Sequence, residues 1–151
     1  LGLAIRAICA GKKVFFGQFI KGMDYSELKS VEYIPNLKIE QFGRDCFIYN
    51  EPTEEDIKLA KEGLEKCGKI LNEGKYDIVV LDELNIAVYF KLFTSEEVIE
   101  ILKEKAYHVE VIITGRYAED NIVELADLVT EMKEIKHYYN EGVEARKGIE
   151  S

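Results

Sequence analysis

At 151 residues, 47% apolar and 32% charged, the chain has the composition of an ordinary folded protein and the length to bury one domain core. A net charge of −9 and a pI of about 4.9 exclude a nonspecific nucleic-acid binder, which needs a cationic surface, and no apolar run approaches the roughly 20 residues of a membrane span. Cys9, Cys46 and Cys67 are widely spaced and His108 is far from His137, which reads as reduced thiols in a cytoplasmic protein without a nitrogen–sulfur metal site.

Leu1, Ala4, Ile5 and Ile8 recur at helical spacing, so a helix is predicted over Leu1 to Ala10, ended by Gly11. "KVFFGQFI", Lys13 to Ile20, reads as a buried strand. Asp24 to Val31 is expected to be a short helix, and the alternating "LKIEQF", Leu37 to Phe42, a strand. A loop with the aromatic pair Phe47 and Tyr49 follows. Thr53, with Asp56 three residues on, starts a long helix whose inner stripe is Ile57, Leu64, Cys67, Ile70 and Leu71 and whose stop is Gly74. Asp77 to Leu81 is a strand, and Glu83 to Lys91 a helix. Thr94-Ser95-Glu96-Glu97 is a capping box for a helix running to about Lys105. "VEVIIT", Val109 to Thr114, is a further strand, Ala118 to Ala126 a short helix, and Leu128 to Met132 the last strand.

Strands that alternate with helices and run continuously apolar imply a parallel sheet with helices on both faces. Ligands of such sheets sit beyond the carboxyl ends of the strands. Those ends carry Gln18 and Lys21, then Asp82 and Glu83, then Thr114 to Arg116.

In "IVVLDELN" an apolar strand delivers two carboxylates to its mouth, which is how a nucleotide-binding sheet holds Mg²⁺ against phosphate oxygens. The competing reading makes Asp82 a helix cap and Glu83 a solvated residue. Lys21 and Arg116 are either phosphate partners or surface cations. Gln18 is either a ligand contact or a buried, satisfied amide. Phe47 and Tyr49 read on composition as core packing, Cys46 as a small buried hydrophobe, and His137 as a helix-end or surface histidine. No G-x-x-x-x-G-K-[ST] loop occurs in the chain. Because the first helix begins at Leu1, a single nucleotide-binding domain over 1–151 is expected that lacks its first strand and phosphate loop, a trimmed part of a longer polypeptide.

The ordered set "LGLAIRAICAGKKVFFGQFIKG", "VVLDELN", "VIITGR", "ADLVTEM" and "KHYYNEGVEARKGIES" resembles the bacterial ATP:corrinoid adenosyltransferases over essentially the whole chain. The resemblance implies a P-loop, RecA-like α/β fold, a homodimer, and Mg²⁺ with ATP and a corrinoid as substrates. It implies transfer of the 5′-deoxyadenosyl group of ATP to the Co(I) of cob(I)alamin, with release of triphosphate. By that likeness Glu83 is the Mg²⁺-associated carboxylate with Asp82 beside it as the catalytic pair. Gln18, Lys21, Gly22 and Arg116 fall on the ATP side. "CFIY" aligns with a G-F-x-W segment, which puts Phe47 and Tyr49 on the corrinoid side, where an apolar lower face eases reduction of Co(II). Tyr49 stands where the family has Trp, and Cys46 where it has Gly. A flavoprotein reductase is a candidate partner. Two other readings stay open: another P-loop kinase or ATPase on the same sheet, and a noncatalytic corrinoid- or nucleotide-binding fragment.

Overall fold

The computed structural model describes residues 1–45 and 51–149. Cys46, Phe47 and Tyr49 lie outside the described residues. Four strands, β1 Val14–Phe19, β2 Leu37–Phe42, β3 Ile78–Asp82 and β4 Glu110–Ile113, form one sheet in the order β2-β1-β3-β4. Every pairing is parallel. Such pairing cannot be closed by hairpins, so each connection carries helix and crosses a face of the sheet.

Alternation along the central strands divides the interior in two. Val14 and Phe16 of β1 and Ile78 and Val80 of β3 point to one face, where Ala4 and Ala7 of α1 (Gly2–Cys9) cover them. Phe15, Phe19, Val79 and Leu81 point to the other. There they meet Ala60, Leu64, Cys67 and Leu71 of α2 (Glu54–Glu73), Leu84, Ala87 and Val88 of α3 (Leu84–Tyr89), Val98 of α4 (Ser95–Lys103) and Ile122 of α5 (Asp120–Leu125). Both faces of β1 are dry, which is why its six residues are all buried and read as a continuous apolar run.

The helix starts follow local chemistry. Thr53 Oγ1 accepts from the Asp56 N–H at 3.3 Å while Asp56 Oδ2 accepts from the Thr53 N–H at 2.8 Å, a complete capping box. Thr94 and Glu97 repeat it on α4. Gly74 closes α2 in the left-handed conformation (φ 62°), as a stop glycine should.

Two expectations need correction. The segment from Asp24 forms a 3₁₀ helix, Ser26–Glu32, with no buried residue to hold a full α-helical face against the core. Leu128–Met132 is not a strand. Its residues pair with no strand among those described, and Leu128 and Met132 are 85% and 94% exposed. β-branched and apolar residues favour a strand only where a neighbouring ladder takes up their backbone groups. Among the described residues no helix is long and apolar enough to cross a membrane.

Candidate active site at the carboxyl ends of the strands

Register brings the polar strand ends into one row. Gln18 lies opposite Gln41 on one side and Asp82 on the other. Gln41 Nε2 donates to Gln18 Oε1 at 3.3 Å, and Gln18 Nε2 donates to Glu27 Oε1 at 3.2 Å and Asp82 Oδ2 at 3.5 Å. Gln18 is thus a buried amide with its hydrogen bonds made, and it forms the floor of the site.

Asp82 is bound on both oxygens. Lys21 Nζ donates to Oδ2 at 3.0 Å, and the Thr114 hydroxyl donates to Oδ1 at 2.9 Å. Lys21 also lies 3.9 Å from Glu27 and over the Tyr25 ring at 5.6 Å. Burial acts to lower the Lys21 pKa, but Asp82, Glu27 and Glu83 outweigh it and hold the ammonium above its ordinary value.

Glu83 differs from its neighbour. No hydrogen-bond donor among the described residues reaches its carboxylate. Burial raises its pKa and the adjacent Asp82 adds to the rise, against the opposing pull of Lys21 and Arg116. Its backbone is left-handed (φ 58°, ψ 20°) at the head of α3, a conformation that costs a non-glycine residue about 1–3 kcal/mol. Strain of this size at an ionisable residue in a cleft points toward function.

A cleft of about 390 Å³ opens above this row, lined by Lys21, Gly22, Arg44, Glu83, Phe90 and Arg116 among others. A second hollow of about 440 Å³ adjoins it at Gly22 and Met23 and reaches Gln41 and Asp45. The cleft brings together Lys21, Gly22, Glu83 and Arg116, with Gln18 and Asp82 beneath. Gly22 has a packing reason to be glycine: a Cβ there would lie 2.4 Å from the Arg44 backbone. His137 stands apart from these contacts, its Nδ1 accepting from the Tyr139 N–H at 3.0 Å at the head of the 3₁₀ helix Tyr138–Glu141.

Sequence reasoning missed Glu27, Tyr25, Gln41 and Arg44. Gln41 carried a signal, since it ends a parallel strand beside Gln18. Glu27 and Tyr25 carried none, because a 3₁₀ segment folds them back over β1. Arg44 forks onto Asp56, with Nε 2.6 Å from Oδ1 and Nη2 2.7 Å from Oδ2, linking the end of β2 to the first turn of α2.

The adjacent carboxylates and flanking cations thus stand at the carboxyl edge of a parallel α/β sheet, where sheets of this kind bind their ligands. The model of the ATP:corrinoid adenosyltransferase family BtuR/CobO/CobP matches residues 1–151. The chain is 33% identical over 160 residues to a corrinoid adenosyltransferase of Sinorhizobium sp., covering 99% of this chain and 72% of that protein. It is 33% identical over 149 residues to the corrinoid adenosyltransferase of Escherichia coli K12 (99% and 76%) and 30% identical over 151 residues to that of Pseudomonas aeruginosa (99% and 74%). The chain belongs to the ATP:corrinoid adenosyltransferase family.

Proposed function

We propose that the protein transfers the 5′-deoxyadenosyl group of ATP to the Co(I) centre of a corrinoid. The cobalt electron pair forms a bond to C5′ as the C5′–O bond breaks, and triphosphate leaves with the bonding electrons. Family membership supports the reaction class, and one observation supports this site for it. Glu83, half-buried and without a protein hydrogen-bond donor among the described residues, faces a cleft that also holds Lys21 and Arg116.

The donor set suits Mg²⁺. Among the described residues no three His, Cys, Asp or Glu side chains gather around one point. Mg²⁺ characteristically takes one or two carboxylates and completes its shell with water and phosphate oxygens. Glu83 would hold it with Asp82 adjacent, and when bound the ion would offset charge on the leaving triphosphate. Lys21 and Arg116 contribute fixed positive charge toward the same oxygens. Gln18 and Gly22 keep the β1 end in place below the nucleotide. Phe47 and Tyr49, outside the described residues, are assigned to the corrinoid side by the family resemblance alone. The protein's task is to hold two substrates in line and keep water from Co(I). A homodimer in the cytoplasm, served by a flavoprotein reductase, completes this reading.

The test is anaerobic incubation with MgATP and chemically reduced cobalamin. Adenosylcobalamin should form with triphosphate in equal amount. ADP or orthophosphate without adenosylcobalamin would mean phosphoryl transfer and defeat the proposal.

A further inference from the structure

Thr114 follows the last residue of β4, and its four hydrogen bonds among the described residues all fall on the junction of β3 and α3. Its N–H donates to Leu81 O at 3.1 Å and its carbonyl accepts from the Asn85 N–H at 3.3 Å. Its hydroxyl donates to Asp82 Oδ1 at 2.9 Å and accepts from the Glu83 N–H at 3.1 Å. One residue therefore holds the end of β3, Glu83 and the start of α3 together through Leu81, Asp82, Glu83 and Asn85. The next residue, Gly115, comes so near that a Cβ would lie 3.2 Å from the Asn85 nitrogen.

The hydroxyl does what no other part of Thr114 can. Glu83 sits in the left-handed conformation as the residue before α3, and its side chain caps nothing. A left-handed glutamate persists only where its surroundings over-determine it. The Thr114 hydroxyl supplies that constraint by taking the Glu83 N–H. It simultaneously occupies the Asp82 oxygen nearer to it, while Lys21 occupies the other. Asp82 is thereby committed to protein donors, and of the two acids Glu83 is the one whose carboxylate lines the cleft with no donor among the described residues reaching it.

We propose that Thr114 is a positioning residue for the reaction, tying the Asp82 carboxylate to the Glu83 backbone so that Glu83 presents its carboxylate to the metal-bound nucleotide. This rests on the reading of Glu83 given above. The two adjacent acids then have separate duties. Asp82 anchors the turn and pairs with Lys21, and Glu83 faces the ligand. A second consequence is chemical specificity at position 114: serine preserves both hydroxyl hydrogen bonds, whereas valine matches the shape and removes both.

The experiment measures ATP affinity of the full chain by titration calorimetry, with and without Mg²⁺. Thr114→Val should weaken MgATP binding roughly 10–100-fold, the range for loss of a partner that orients a metal ligand. Thr114→Ser should restore it, and affinity for ATP without metal should stay at the wild-type value. In a Glu83→Ala background, Thr114→Val should have no further effect, because residues acting through one another are non-additive. Thr114→Ala, which removes the same hydrogen bonds with less bulk, carries the test if the valine variant does not fold. Wild-type MgATP affinity in the valine and alanine variants would overturn the inference, as would equal losses with and without metal or additivity with Glu83→Ala. Wild-type protein whose ATP affinity ignores Mg²⁺ would instead defeat the reading of Glu83 itself.

Discussion

Asp56 combines two tasks that the sequence showed only as one. Its place three residues after Thr53 marks it as a helix-capping partner, and it is. The same carboxylate also takes the Arg44 fork while 5% exposed. The Arg44 hydrogen bond, with those from Thr53, overcomes burial and brings its pKa down from 3.8 to about 2. A depressed carboxyl pKa contributes stability that is complete above the ordinary value and disappears as pH falls through the folded value. Asp56→Asn should therefore lower stability by on the order of 1–2 kcal/mol at pH 7, and the gap from wild type should shrink between about pH 4 and pH 2. Urea unfolding across that range checks it. A gap that stays constant with pH would assign the effect to packing. Glu83 and Asp82 illustrate the opposite limit of legibility. Their types and adjacency mark them as a candidate site, but nothing in "LDEL" distinguishes the acid held by Lys21 and Thr114 from the one that no donor among the described residues reaches.

At the scale of elements, the site depends on how closely the β1 and β2 ends approach. Gly22 and Gly43 lie on facing loops. A Cβ on Gly22 would meet the Arg44 backbone at 2.4 Å, and one on Gly43 would meet the Ile20 backbone at 2.6 Å. Backbone cannot swing aside as a side chain can. Gly22→Ala should cost about 1–3 kcal/mol, the range for overpacking, and should push apart two walls of the cleft. Thermal unfolding compared with Gly2→Ala, at a position with no atom within 4 Å, checks this; equal melting temperatures would show that the loops yield freely. Helix and strand identities were largely written locally. Capping boxes at Thr53 and Thr94, the stop at Gly74, and the apolar runs of β1 and β3 all formed where the residues implied. Leu128–Met132 was misread because strand propensity is a property of a residue and pairing a property of two chain segments.

For the whole molecule, stability rests on the sheet being buried from both sides. Phe19 is fully buried in the larger core, its ring 5.4 Å from those of Phe42 and Phe93. Phe19→Ala should cost about 3–5 kcal/mol. Tyr107, 99% exposed, should tolerate alanine within about 0.5 kcal/mol. Denaturant midpoints of the two variants measure the contrast, and comparable losses would mean that Tyr107 is covered in solution. The net charge of −9 belongs to this scale too. Lys21, Arg44 and Arg116 line one cleft at the carboxyl edge of the sheet, but Lys21 is paired with Asp82 and Arg44 with Asp56, so the acidic balance of the molecule is not reversed there by unpaired cations alone.

The sequence by itself determined the class of fold, the order of most elements and which polar residues end the strands. Those features follow from periodicity, capping and strand burial, each a matter of residues near one another in the chain. Likeness of ordered motifs determined the family, a conclusion the comparison across residues 1–151 shares. Tertiary structure alone decided the strand order β2-β1-β3-β4, and with it which polar ends stand side by side. Through that order Gln18 meets Gln41 and Asp82, Arg44 reaches Asp56 twelve residues on, and Thr114 closes on a turn some thirty residues earlier. Hydrogen bonds have a range of about 3 Å, so which of two adjacent acids is free is settled only when distant segments are packed.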